Sequence, residues 1–232
     1  MIPEATADTL TAVAREHGVA VVRQAVPAVL VAALRRVVLE TREAQAWLAD
    51  VGADPPVARP GARLLGHGFD DPTWIALQQA VQPTDAFTRL RTGLVPLVAL
   101  AAGTPVRPLL ADILRVVLPH ALELTTPPHQ DSHYLPLPGL WNAWCPLTTC
   151  PLALGTIAVW PGSHRDGTRV HVPAVNGHPG VPVPEVPPAA SPLQPGDVVL
   201  FSGLTVHGAL PNVTRDRVRF SVDYRYVPLG SR

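Results

Sequence analysis

Three stretches of this 232-residue chain carry side chains that chemistry would use. The first, PPHQDSHYLP at 127–136, sets an imidazole and a carboxylate two positions apart, His129 and Asp131, with His133 in the same alternation. On a strand these three project from one face. An imidazole beside a carboxylate supplies two members of a two-His-one-carboxylate metal site, which leaves positions on iron open for a co-substrate and oxygen. Spacing alone decides nothing, since chance gives about 0.5 His-x-Asp matches in a chain of this composition. There are two, and the other, His164-Arg165-Asp166, lies between glycines in PGSHRDG, where a turn gives no reason for both side chains to face one way.

The second stretch is PGDVVLFSGLTVHGALPN at 195–212, which reads as turn, strand, short loop and then His207. A rigid strand that delivers a His near its far end suits a third ligand, although a lone His also serves as a satisfied core residue. RVRFSVDYRY at 217–226 follows, with Arg217, Arg219, Ser221, Asp223 and Arg225 alternating with apolar and aromatic residues. Buried, such a face is costly unless it is paired or meets an anion. Two readings stand: a solvated face paired with Asp216 and Asp223, or a pocket wall where Arg219 and Ser221 grip a carboxylate, which Arg can hold bidentately.

Elements must position these groups. Apolar spacing predicts a helix over 3–17 ending at Gly18, a short strand at 19–22, a long helix from Pro27 through Val51, and further helices around 71–81 and 84–102. After Gly103 the texture changes to short β-branched or aromatic runs between Pro and Gly: LLADILRVVL, TIAVW, VVLF and SVDYRY. The residues 179–195 carry seven prolines and are expected to form an extended surface loop near a pocket mouth. No composition break marks a linker, so one domain over 1–232 is expected, mainly β with N-terminal helices: helical support over 1–103 packed on a β-sandwich or barrel core over 104–228.

Composition excludes several classes. Lys, Arg, Asp and Glu are balanced to a net charge of +0, with no footprint for nucleic acid or an anionic membrane. All 18 basic residues are arginine, which removes Schiff-base lysine chemistry and the phosphate-loop lysine of nucleotide hydrolases. There is no Gly-x-Ser-x-Gly elbow, and Cys145 and Cys150 lack the second pair that a structural zinc site would use. With two cysteines, no long apolar run and an acidic N-terminus unlike a signal peptide, a cytoplasmic protein without membrane or nucleic-acid partners is expected.

HQD at 129–131, WNAWCPLTT, GTIAVWPGSHRDG, GDVVLF, HGALPN and RFSVDYRY occur in the order seen in the phytanoyl-CoA dioxygenase family, which the chain resembles over roughly 105–228. The resemblance implies a double-stranded β-helix (jelly-roll, cupin-like) core and an oxygenase that uses Fe(II), 2-oxoglutarate and O2. It implies His129, Asp131 and His207 as iron ligands, and Arg219 as the anchor of the 2-oxoglutarate distal carboxylate, with Ser221 assisting and Trp144 close by. Arg217 is the alternative anchor. Gln130 matches the pattern but points away by parity, and His133, Tyr134, Trp141 and Asn142 are the candidate substrate contacts. Ala209 stands where many relatives carry Ser, removing one hydrogen bond to the co-substrate.

The expected reaction is hydroxylation of an unactivated C–H bond of a small metabolite, with release of succinate and CO2. Desaturation, cyclisation and epimerisation use the same ligands. The competing class is a non-catalytic protein of the same fold that binds a metal or ligand.

Overall fold

A computed structural model describes residues 1–64, 70–173 and 178–231. Its helices are α1 Leu10–His17, α2 Ala28–Glu40, α3 Arg42–Trp47, α4 Pro72–Val81, α5 Asp85–Gly93, α6 Val95–Ala102 and the short α7 Asp131–Tyr134. Its strands are β1 Val19–Val22, β2 Leu48–Asp50, β3 Val57–Ala58, β4 Val106–Pro108, β5 Ile113–Val117, β6 Trp141–Pro146, β7 Ile157–Val159, β8 Val172–Pro173, β9 Pro179–Gly180, β10 Val198–Ser202, β11 His207–Ala209 and β12 Arg219–Pro228.

β12 organises the molecule. It pairs with β6 along one edge and with β5 and then β4 along the other, inside an antiparallel sheet that continues from β6 through β10 to β1. Its strict alternation sorts two chemistries onto two faces. Phe220, Val222, Tyr224 and Tyr226 are buried in the large core shared with the helices. Tyr224 and Tyr226 donate their hydroxyls to the carbonyls of Phe87 (3.0 Å) and Arg91 (2.7 Å), fastening α5 to the sheet. The opposite face carries Arg219, Ser221, Asp223 and Arg225, all buried. There the sheet meets the small β7–β11 pair over a second core that contains Trp144, Ile157, Val159, Val199 and Phe201.

The helical half differs from expectation in its breaks. The chain before α1 is extended, with Glu4 bridged parallel to Val21, so the first helix begins only at Leu10. The pattern over 27–51 divides at Thr41, whose extended backbone ends α2 and whose hydroxyl caps α3 by accepting from the Ala44 N–H at 3.1 Å. Residues 48–50 then leave as a strand. The pattern over 84–102 divides at Leu94, because Pro96 lacks an N–H and fits only the first turn of α6. α4 matches its sequence signals: Asp71 caps it by accepting from the Trp74 N–H at 2.8 Å, and Pro72 opens it.

The proline-rich loop is tied down at several points. β9 pairs with β8, Ala189 bridges Val159 and Leu193 bridges Cys150. The Trp160 indole donates to the Val186 carbonyl at 2.7 Å. Among the described residues no helix is long and apolar enough to cross a membrane.

Candidate metal centre and its flanking cavities

His129 and His207 meet across an antiparallel bridge, each backbone N–H donating to the other's carbonyl at 2.8 and 2.9 Å. Their rings lie 4.1 Å apart. Gly208 permits this closeness, because a Cβ there would stand 3.0 Å from the Thr126 carbonyl oxygen and 3.1 Å from that of Pro127. Asp131 arrives from the first position of α7 and completes the group. One ligand atom from each of the three residues falls within 4.8 Å of the others, and all three residues are buried.

The tautomers follow from hydrogen bonds. His129 Nδ1 lies 2.9 Å from the Pro127 carbonyl and His207 Nδ1 lies 3.0 Å from that of Thr205. A carbonyl only accepts, so each Nδ1 carries the proton and each Nε2 presents a lone pair. Those Nε2 atoms face Asp131 Oδ1 at 3.3 and 3.7 Å. Three acceptor atoms thus converge, an arrangement suited to a cation.

Burial holds the two ionisation states apart. The His207 imidazole is pushed down to about 3, first by burial and then by its neighbour His129, so it is neutral and ready to ligate. Burial would raise Asp131, but the Arg225 guanidinium outweighs it and holds the carboxyl well below the usual range. Arg225 donates from Nε to Asp131 Oδ2 at 2.8 Å, which leaves Oδ1 as the oxygen turned to the histidines. Arg225 was not assigned a role in the sequence, although its place on the inward face of β12 was legible.

Gln130 explains the middle of the His-Gln-Asp run. It points away from the three converging side chains, as parity predicts. Its amide donates to the carbonyls of Gly167 (2.9 Å) and Leu204 (2.5 Å) and accepts from the Arg169 N–H (2.7 Å), tying two loops behind the site.

The solvated-face reading of β12 fails at Arg219, which is 3% exposed. Its Nη1 donates to the Gly155 carbonyl and its guanidinium stands 5.6 Å over the Trp144 ring. Nε has no hydrogen-bond partner among the described residues, and burial lowers the group's pKa. Ser221 Oγ, on the same face, is likewise buried without a partner, as are Thr148 Oγ1, Thr156 Oγ1 and both amide atoms of Asn142. Arg217 differs: it pairs with Asp216 at 3.4 Å, donates to the Pro55 carbonyl at 3.0 Å, and its side chain is 40% exposed. His164 and Asp166 sit apart, bound to the Arg15 carbonyl and to Arg169.

A cavity of about 500 Å³ opens beside His129 and Asp131. Ile113, Leu124, Pro127 and Leu135 give it an apolar wall, while Arg115 and Arg225 bring charge. Of the four candidate substrate contacts only Tyr134 lines it, held by a hydrogen bond from its hydroxyl to the Pro179 carbonyl. Three corrections follow. His133 does not share a face with His129 and Asp131, because 131–134 is a helical turn and not a strand. Its ring stacks on His171 at 3.9 Å instead. Trp141 projects from the helix-facing side of β6 into the large core, opposite Trp144. Asn142 is on the inward face but does not line this cavity.

The family model for phytanoyl-CoA dioxygenase matches residues 14–221. The chain belongs to the phytanoyl-CoA dioxygenase family. Among curated relatives, a 1-deoxypentalenic acid 11-beta-hydroxylase of Streptomyces arenae is 39% identical over 122 residues, covering 46% of this chain and 42% of the relative. The match therefore spans less than half of either protein. Among solved structures, the non-heme alpha ketoglutarate dependent carbocyclase SnoK superposes with a TM-score of 0.69 at 25% identity, covering 99% of this chain and 88% of that one. The epimerase SnoN shares the fold, with a TM-score of 0.62 at 22% identity over 97% of this chain and 84% of that one.

Proposed function

We propose that this member of the phytanoyl-CoA dioxygenase family is a non-haem Fe(II)- and 2-oxoglutarate-dependent oxygenase that hydroxylates an unactivated C–H bond of a small, largely apolar metabolite. The observation that carries the reading is the convergence of His129 Nε2, His207 Nε2 and Asp131 Oδ1, with each imidazole's Nδ1 turned to a backbone carbonyl. In this reading the chain is one domain over 1–232 whose two facing sheets are a double-stranded β-helix. The hydroxylase relative, and the structures of a carbocyclase and an epimerase, support a tailoring role in biosynthesis.

The donor set fits iron: two neutral imidazoles and one carboxylate, with the second carboxylate oxygen occupied by Arg225. The unpartnered Arg219 Nε and Ser221 Oγ fit the distal carboxylate of 2-oxoglutarate, with Trp144 packed beneath the guanidinium. Loaded with both and with O2, such a centre supplies the oxidant: one oxygen atom goes to the substrate carbon as hydroxyl, and the other leaves in succinate as CO2 is lost. The chain's own work is geometric. Nδ1–H bonds to Pro127 and Thr205 fix the two imidazoles, Arg225 fixes the carboxylate, and the apolar cavity beside His129 orients one C–H bond and excludes water.

The test is an anaerobic Fe(II) titration with and without 2-oxoglutarate, following the visible charge-transfer band of the chelate. The band is expected in the wild type, and is expected to vanish in His207→Ala and weaken in Arg219→Ala. Metal binding without the band in the wild type would make the chain a binding protein.

A further inference from the structure

The cavity beside the triad poses a charge problem that the proposed reaction does not use. Its walls are mainly apolar, yet two guanidinium groups reach it, from Arg115 on β5 and Arg225 on β12. Arg225 is committed, with Nε on Asp131 and Nη1 on the Ala111 carbonyl. Arg115 is committed only through Nε, which donates to Asp223 Oδ2 at 2.7 Å. Its two terminal nitrogens make no hydrogen bond to the described residues, and the side chain is 22% exposed.

The Asp223 contact does more than neutralise. It fixes one edge of the Arg115 fork, and with it the plane of the guanidinium. Arg115 projects inward because β5 alternates: Leu114 and Val116 enter the large core, and Arg115 faces the other way, opposite Ser221 in register. A fixed fork with free N–H groups at the edge of an apolar cavity is a receptor for a planar anion. An acid entering this cavity gains a charge-assisted pair beside apolar walls, which a neutral analogue of the same shape does not.

We propose that the substrate of this cavity is an apolar monocarboxylate, its carboxylate held by the terminal nitrogens of Arg115 and its hydrocarbon body lying against Ile113, Leu124 and Leu135 toward His129. The proposal names the substrate class of the oxygenase reading and rests on that reading for the reaction, but not for binding. Arg115 also borders the small cavity of about 50 Å³ that Arg219 lines, so the rival assignment is that Arg115 assists the co-substrate.

The experiment measures binding by calorimetry with two acids, adamantane-1-carboxylate and octanoate, against their neutral carboxamides. It is run on the full chain both metal-free and anaerobically loaded with Fe(II) and 2-oxoglutarate. At least one acid is expected to bind about tenfold or more tightly than its amide. Arg115→Met should erase that preference while leaving the Fe(II)–2-oxoglutarate band and its midpoint unchanged. Because Arg115→Met strands the Asp223 carboxylate, the pair is removed together in Arg115→Met/Asp223→Asn as a second variant with the same expectation. Acids binding no better than amides, no acid binding at all, or Arg115→Met weakening 2-oxoglutarate instead of the acid would each overturn the proposal. A wild type that prefers the acid without metal yet forms no chelate band would sink the oxygenase reading and leave the acid site standing.

Discussion

The two ends of the inward face of β12 are built to opposite electrostatic rules. At the Arg225 end the protein closes its own accounts: Asp131 is paired, both imidazoles are held by carbonyls, and what remains is a knot of lone pairs that wants a cation. At the Arg219 end it leaves them open: the Nε of a desolvated guanidinium and a buried serine hydroxyl have no hydrogen-bond partner among the described residues and suit an anion. One strand thus borders an electron-rich cluster at one end and carries electron-poor donors at the other, the first suited to a cation and the second to an anion. The difference teaches that binding at the first end is set by preorganised geometry, and at the second by relief of desolvation. Substitutions at the two ends should therefore change stability with opposite signs.

The largest effect is expected from Asp131→Ala. It removes a proposed ligand and strands Arg225 as a buried unpaired charge, so iron binding should be lost outright and stability should fall by about 3–5 kcal/mol. Equilibrium denaturation and an iron titration on the same sample check both. Arg219→Met should do the reverse to the fold. The ligand-free protein should be as stable as the wild type or more so, because a buried cation without a carboxylate partner is gone. Its affinity for 2-oxoglutarate should nevertheless fall by about 100-fold, the scale of a lost charge-assisted pair. The rise in melting temperature that 2-oxoglutarate gives the wild type should shrink accordingly. A Met variant that unfolds as readily as Asp131→Ala would erase the distinction between the ends.

A smaller effect separates them by pH. His207 is buried as the neutral imidazole, pushed down to about 3 from 6.5, so the unfolded chain takes up a proton that the folded chain refuses. Asp131, held low, acts in the same direction at lower pH. Stability of the metal-free protein is therefore expected to be complete above pH 6.5 and to decline as pH falls toward 3. His207→Asn should flatten that decline, whereas Arg219→Met should leave its slope intact because arginine does not titrate there. Melting temperatures across this range decide it.

How much of this the sequence revealed depends on whether parity held. On β12 and β6 it held: alternation separated Arg219, Ser221 and Arg225 from the core aromatics, and it would also have set Trp141 opposite Trp144 had it been applied there. Beyond Asp131 it failed, because the chain turns helical there. There the His133 N–H is satisfied by the Gln130 carbonyl and the Leu135 N–H by that of Asp131. Asp131 and His129 still meet, but through a bridge to His207 that no local pattern encodes. Arg115 escaped notice for a different reason. One arginine in ILRVV looks like a solvated interruption until pairing with β12 shows that it faces Ser221 and Asp223. The breaks at Thr41 and Pro96 were written in the residues, yet continuous apolar spacing masked them.

The smallest effect is the sharpest probe of the anchor end. Ser221 Oγ is fully buried and has no partner among the described residues, so Ser221→Ala removes a desolvated hydroxyl at little cost in volume. The ligand-free protein should gain slightly, by about 1 kcal/mol or less, since an unmade hydrogen bond is what is deleted. With 2-oxoglutarate bound the sign should invert: the hydroxyl now has an acceptor, and its loss should cost about 1 kcal/mol, or roughly fivefold in affinity. Thermal melts with and without the co-substrate read both terms in one variant. A serine that mattered only for packing would shift the two melts together, whereas a serine that waits for the carboxylate moves them apart.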